Sequence, residues 1–305
     1  MAYIAVAGGA NVDVGAHALQ KLRPKDSNPG HVHTSFGGVG RNIAHNLRLL
    51  GVDVELFSAL GTDDYGAAME KDCAAIGLCL DHALRVPDGR TSTYVYIGDE
   101  RGDMALAVSD MEICEKLTPA YYAGQLDRLN GAALVVADTN LPAESLAYLA
   151  EHLTVPLFID PVSVAKAEKL TAILPHIHTL KPNALEAELL SGVPVVDRNS
   201  ARRAARRLID LGVKRVFLSL GKEGFLAAAE DETVWQPAPQ AKLVSTTGAG
   251  DSLMAAIAWS WLRGENLSRT AAIGAAAAAI TIESIDTISA DLSPDAVLAR
   301  SRDDD

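Results

Sequence analysis

The 305-residue sequence predicts an α/β fold: a mainly parallel central sheet flanked by helices, with a small β-sheet standing apart as a lid. Three observations carry that expectation. Short β-rich runs alternate with helical runs for most of the length, which implies right-handed βαβ crossovers and parallel strands. Polar residues gather directly after six of those runs, as they do where an open parallel sheet binds ligands outside its carboxyl edge. Two further β-rich stretches have no neighbouring helix to cover them.

The core β runs fall at residues 3–7, 54–57, 134–137, 157–159, 178–180 and 216–218. Helical runs occupy 41–50, 65–76, 143–153, 184–190 and 200–211. In the first helix Ile43, Leu47 and Leu50 fall at i, i+4 and i+7, and Gly51 supplies a stop. Pro142 stands at a helix start, where its missing N–H costs nothing. The strand exits carry Asn11 and Asp13, Asp63 and Asp64, Asp138 and Asn140, Asp160, Lys181 and Asn183, and Ser219 and Gly221. Residues 31–36 and 91–97 read as lid strands, with 104–108 returning as a hairpin across Gly98, Asp99, Glu100, Arg101 and Gly102; extra strands of the main sheet are the alternative. The expected division is a core of 1–12, 37–87 and 112–305 and a discontinuous lid of 13–36 and 88–111.

The charge balance is 27 basic against 39 acidic side chains, net −12, which argues against nucleic acid or an anionic membrane as partner. Cys73, Cys79 and Cys114 form no CxxC pair, so neither a disulfide framework nor a structural zinc site is indicated. Residues 271–282 are alanine-rich but too short to span a bilayer, and read as a buried helix. The start MAYIAVAGGANVD has no basic leader, so a cytoplasmic protein is expected.

Three motifs carry chemistry. Thr246-Thr247-Gly248-Ala249-Gly250-Asp251 opens an apolar helix running to about Leu262. Glycines expose backbone N–H groups, and a helix N-terminus adds unsatisfied donors and partial positive charge, so the turn suits a phosphate. An aspartate there can take the proton from an attacking alcohol. A helix cap behind a plain glycine turn explains the same residues. Gly37-Gly38-Val39-Gly40-Arg41-Asn42 has the glycines of a dinucleotide turn but no clear core strand before it. A sugar cradle is the alternative, with Asn42 and Asp13 hydrogen-bonding hydroxyls. Asn183 and Glu186 lie on one side of a single helical turn, where they suit magnesium or form a capping pair.

In this order, N-x-D, G-G-x-x-R-N, N-x-x-E and G-A-G-D resemble the PfkB-type, ribokinase-like carbohydrate and nucleoside kinases over essentially the whole chain. That resemblance implies the ribokinase-like three-layer fold. Residues 37–44, Ser109-Asp110-Met111, 138–142 and 179–183 look most like the pseudouridine kinases of that family. The resemblance implies that Asp251 is the general base and that the amides of Gly248, Ala249 and Gly250 hold the developing phosphoryl charge. Asp13, Gly37, Gly38 and Asn42 would hold the ribose, with Asn11, Asp138 and Asn140 nearby. Arg41, Ser109 and Asp110 are candidates for reading the base. Lys181, Asn183, Glu186, Ser219, Gly221 and Gly224 would line the ATP site, with Ala275 and Ala279 in the adenine wall. Asn183 and Glu186 would organise Mg²⁺, in part through its waters. The implied activity is ATP-dependent phosphorylation of the pseudouridine 5′-hydroxyl. The alternatives are a relative acting on a free sugar or an N-linked nucleoside, and a non-catalytic sensor. A homodimer through the lid is also implied.

One departure concerns the monovalent cation. Many members carry an aspartate before the Thr-Thr pair, where this chain has Ser245, so potassium activation is not expected. The spaced pairs His31/His33 and His176/His178 lack further ligands and are read as non-metal. Arg202, Arg203, Arg206 and Arg207 read as a solvated helix face, and Trp235, Trp259 and Trp261 as packing.

Overall fold

The computed structural model describes residues 2–302. The run Asp303-Asp304-Asp305, expected to fray, lies outside them. The first half runs β1 (Tyr3–Ala7), β2 (Asn11–Ala18), β3 (Gly30–Gly37), α1 (Val39–Leu49), β4 (Asp53–Phe57), β5 (Ala59–Gly61), α2 (Asp64–Ala75), β6 (Leu84–Val86), β7 (Thr93–Gly98) and β8 (Met104–Asp110). It continues as α3 (Pro119–Asn130), β9 (Leu134–Asp138), α4 (Ala143–His152), β10 (Leu157–Asp160), α5 (Val164–Ala167), β11 (Thr179–Leu180), α6 (Ala184–Ser191) and α7 (Arg198–Asp210). The remainder is β12 (Arg215–Ser219), β13 (Phe225–Ala228), β14 (Thr233–Gln236), α8 (Ala249–Leu262), α9 (Leu267–Ile282) and α10 (Pro294–Arg300).

Eight strands form the central sheet in the order β14-β13-β12-β11-β10-β9-β1-β4. From β4 to β12 every pairing is parallel, and β13 and β14 add an antiparallel edge. Successive side chains of a strand point to opposite faces. Ile4, Val6, Leu134 and Val136 accordingly enter one core with α1, α8 and α9, while Ala5, Ala7, Val135 and Ala137 enter the other with α3, α4, α6 and α7. Helix–sheet–helix layering follows directly from strands that are apolar on both faces. Phe57, Phe158 and Tyr122 are among the largest fully buried side chains, each contributing roughly 1.5–3 kcal/mol.

The lid is a separate four-stranded sheet in the order β3-β2-β7-β8. Its first strand begins at Asn11, so the N-x-D motif lies on a lid strand rather than in a loop after β1. The β13–β14 hairpin, α3, β5 and β6 were not foreseen in the sequence. Helix α9 starts at Leu267, four residues before the alanine run, because Asn266 caps it by accepting the Arg269 N–H at 2.8 Å. Asp63 caps α2 and also accepts from the Thr91 N–H (2.8 Å) and hydroxyl (2.6 Å), which ties that helix to the chain entering β7. Among the described residues no helix is long and apolar enough to cross a membrane.

Candidate active site

The cleft is assembled at the carboxyl ends of β1, β9, β10 and β11, beneath the lid. At its floor Gly248 precedes α8 with φ 83°, a left-handed conformation in which a Cβ would collide with the Thr287 carbonyl. This bend delivers the first amides of α8 to the cleft, where a helix lacks internal acceptors for them. Asp251 is the third residue of α8, and its Oδ2 accepts from Asn42 Nδ2 of α1 at 2.8 Å. Two glycine-started helices thus meet at one carboxylate. Asn42 Oδ1 is buried with no hydrogen-bond partner among the described residues.

Three more charges lie close to it. Lys181, 7% exposed, reaches Asp160 Oδ2 at 3.2 Å, and a Cβ on Gly250 would sit 3.2 Å from its Nζ. Burial pulls the Lys181 ammonium down, but Asp160, Glu186 and Asp251 outweigh it and hold it above the usual lysine value. Burial, reinforced by the Asp160 charge, pushes the Asp251 carboxyl up to about 7 against the pull of Asn42 and Lys181. Burial likewise raises Asp138 to about 6, although the amides of Gly9 (2.9 Å) and Asn140 (2.8 Å) hydrogen-bond its two oxygens. A carboxylate poised near neutrality is suited to receiving a proton and releasing it again.

Asp138 therefore braces the β1–β2 turn against β9. Asn140 receives the Lys166 ammonium. On the lid side, Asn11 Nδ2 donates to Asp13 Oδ1 at 2.7 Å, and the Asp13 carboxylate lies against Gly37, where a Cβ would displace it. Burial raises the Asp13 carboxyl; Asn11 and Arg41 oppose that rise. Gly38 caps α1 at φ 96° and packs on the backbone of Gly9 and Ala10. Arg41 is turned inward: it donates to the Phe36 carbonyl at 2.9 Å and pairs with Asp72, linking the end of β3 to α2. Ser109 shares a register row with Tyr94 and Asp13. Asp110 falls in the next row, pairs with Arg90 at 3.4 Å, and borders a 220 Å³ cavity.

At the start of α6, Asn183 and Glu186 form a reciprocal capping box. Asn183 N–H donates to Glu186 Oε2 at 2.8 Å and Glu186 N–H to Asn183 Oδ1 at 2.9 Å. Ser219 bridges to Asn183, and the turn through Gly221 and Gly224 follows it. Ala275 and Ala279 are buried in the core, 2% and 1% exposed, rather than at the rim. No cluster of three or more His, Cys, Asp or Glu able to hold a metal occurs among the described residues. A divalent ion here would have to draw its other oxygens from water and from phosphate.

Two site residues were given no role in the sequence reading. In the sequence Asp160 stands only as one of several polar strand exits; its partner Lys181 lies on a different segment. Lys166 carried no signal, because only the fold of the β10–α5 segment brings it to Asn140. Val162, in the same segment, adopts φ 62°, which β-branched residues avoid, and its N–H is held by Asp160 Oδ1 at 2.9 Å.

Comparison with known proteins fits this geometry. The pfkB family carbohydrate kinase profile matches residues 1–294. The chain belongs to that family. Its members are phosphotransferases that act on hydroxyl groups with ATP. The pseudouridine kinase of Escherichia coli strain K12 is 39% identical over 264 residues, 86% of this chain and 84% of that protein. A carbohydrate kinase from Agrobacterium tumefaciens superposes with a TM-score of 0.86 at 30% identity, covering 99% of this chain and 97% of its own. An Arabidopsis thaliana ribokinase, complexed with ribose and ATP, shares the fold with a TM-score of 0.87 at 23% identity and 99% coverage of both chains. The ribokinase-like architecture read from the motif order is the one observed.

Proposed function

We propose that this pfkB-family protein transfers the γ-phosphoryl group of ATP to the 5′-hydroxyl of pseudouridine. The buried Asp251 carboxylate, held by Asn42 beside the amides of the α8 N-terminus, is the observation that carries the chemistry. The pseudouridine assignment draws its support from the 39% identity to the Escherichia coli enzyme. Asp13, oriented by Asn11, accepts hydrogen bonds from ribose hydroxyls and places the 5′-hydroxyl at Asp251. Asp251 takes the hydroxyl proton as the oxygen attacks phosphorus. The Gly248–Ala249–Gly250 amides and the Lys181 ammonium hold the charge that spreads over the transferred group, which is where catalysis of a loose phosphoryl transfer resides. Asn183, Glu186, Ser219, Gly221 and Gly224 flank the nucleotide phosphates.

Mg²⁺, when bound with ATP, would be held by Glu186 through water and would neutralise phosphate charge; a carboxylate oxygen suits that hard cation. Residues 13–36 and 88–111 act as a cover that excludes water, a competing acceptor. The outer lid face exposes Val32, Val95, Ile97, Leu106 and Val108, at 37–70%, and a second copy of the chain covers it in a homodimer.

Purified protein assayed with ATP against pseudouridine, uridine and ribose tests the assignment. The expected product is pseudouridine 5′-phosphate, formed with the highest kcat/KM of the three. A clear preference for ribose or uridine would assign a different acceptor to the same machinery.

A further inference from the structure

We infer that Asp160 is a positioning residue for phosphoryl transfer: its carboxylate holds the Lys181 ammonium over the first turn of α8, so that lysine and helix amides meet the transferred group together. This deepens the reading of the cleft as a phosphorylating site and rests on it. The sheet register sets up the pair. β9, β10 and β11 run parallel, with Ala137 beside Ile159 and Ile159 beside Leu180. These three side chains enter the core on the α3, α4, α6 and α7 side. The next row, Asp138, Asp160 and Lys181, turns to the opposite face, where α8 packs.

Within that row the partners are already divided. The Asp138 oxygens are taken up by the amides of Gly9 and Asn140. Asp160, 4% exposed, is left for the ammonium, and among the described residues it is the ion-pair partner of Lys181, at 3.2 Å. An ammonium carries three N–H donors, so the others remain for oxygen atoms in the cleft. They lie at the α8 N-terminus: a Cβ built on Gly250 would meet Lys181 Nζ at 3.2 Å and Cε at 4.0 Å, and no other side chain of the described residues within 4 Å. A lysine stem is flexible, and anchoring its end before ATP arrives removes the cost of ordering it during transfer.

The second oxygen of Asp160 serves the chain leaving β10. Oδ1 accepts the Val162 N–H at 2.9 Å, and Val162 sits at φ 62°, a conformation that β-branched residues avoid. The carboxylate thus has one task on each oxygen, and substitution can separate them. An asparagine can keep its oxygen on the Val162 amide, but it then turns an NH₂ group, which cannot accept, toward the ammonium. A glycine at 162 adopts the left-handed conformation without steric cost, so the turn no longer depends on Asp160.

Steady-state kinetics of Asp160→Asn, Lys181→Met, the double variant Asp160→Asn/Lys181→Met and Asp160→Asn/Val162→Gly test this. In Asp160→Asn kcat should fall roughly 10- to 100-fold, the scale of a hydrogen bond to a charged group, with the acceptor KM within about threefold of wild type. The double variant should be no slower than Lys181→Met to within about twofold, because the two residues act as a unit. Adding Val162→Gly should leave the Asp160→Asn loss in place, and that background carries the comparison if Asp160→Asn alone does not fold. Recovery of kcat on adding Val162→Gly would show that Asp160 only supports the turn, and multiplicative losses in the double variant would show that it acts apart from Lys181; either result overturns the inference. Failure of the wild type to phosphorylate any acceptor would remove the kinase reading, and calorimetry with a non-hydrolysable ATP analogue and ADP then decides the role of the pair. Asp160→Asn and Lys181→Met weakening the analogue alike, with ADP unaffected, would sustain the hold on Lys181; an unchanged analogue Kd in Asp160→Asn would overturn it.

Discussion

The two ends of the cleft are built on different physical terms. At the end beside α6 and α8, Asp138, Asp160, Lys181 and Glu186 are each less than 10% exposed and are embedded where the sheet meets those helices. At the lid end Asp13 and Tyr96 are only half-buried and His33 is exposed, on a sheet with no helix behind it. Burial strengthens electrostatic interactions and shifts the affinity of carboxylates for protons, so the first end is equipped to do chemistry. The second is equipped to recognise and to cover. Catalytic rate should therefore be sensitive to the floor of the cleft, and substrate affinity to its roof.

Asp251→Asn probes the floor and should show the largest effect. The amide keeps the contact with Asn42 but cannot take a proton, so kcat should fall about 10²–10⁴-fold in steady-state assays while the calorimetric Kd for the acceptor is little changed. A parallel collapse of binding would mean that the carboxylate holds substrate rather than activating it. Asp13→Asn probes the roof. Exchanging a charged acceptor for a neutral one should raise the acceptor KM roughly tenfold, the scale of a charge-assisted hydrogen bond to a hydroxyl, with kcat nearly preserved. If kcat fell as steeply as for Asp251→Asn, the proposed separation of the two ends would be wrong. Leu106→Asp, on the outer lid face, should have the smallest catalytic effect. It should convert a dimer to a monomer by light scattering; a wild-type monomer at the same concentration would contradict the assigned role of that face.

The same contrast decides how much could be read from the sequence. The six parallel strands were legible because their apolar runs are short, continuous and separated by helical runs. The turn opening α8 was legible because Thr246–Asp251 is contiguous and its bend depends on local backbone geometry. The aromatic cluster on the lid was not legible. His17, His33 and Tyr96 come from three strands and meet only through register, and nothing in their spacing singles them out. Asp160 was visible as a strand-exit residue, yet its pairing with Lys181 requires β10 and β11 to lie side by side. Asn183 and Glu186 illustrate the converse: local spacing allowed both a capping box and a metal site, and the structure shows the capping box.

The raised affinity of Asp251 for protons links the floor of the cleft to pH. A carboxyl raised from 3.8 to about 7 in the folded protein binds its proton more tightly there than in the unfolded chain. The stability it contributes is fully present below about pH 4 and is lost as pH rises through 7, so the ionised form is held at a cost in stability. The most direct test of the general-base assignment is the pH dependence of kcat/KM for wild type and Asp251→Asn between pH 5 and 9. The expected wild-type profile rises with pH to a plateau through an acidic limb near 7, and the limb disappears in the residual activity of the variant. The same limb persisting in Asp251→Asn, at a rate close to wild type, would show that another group takes the proton.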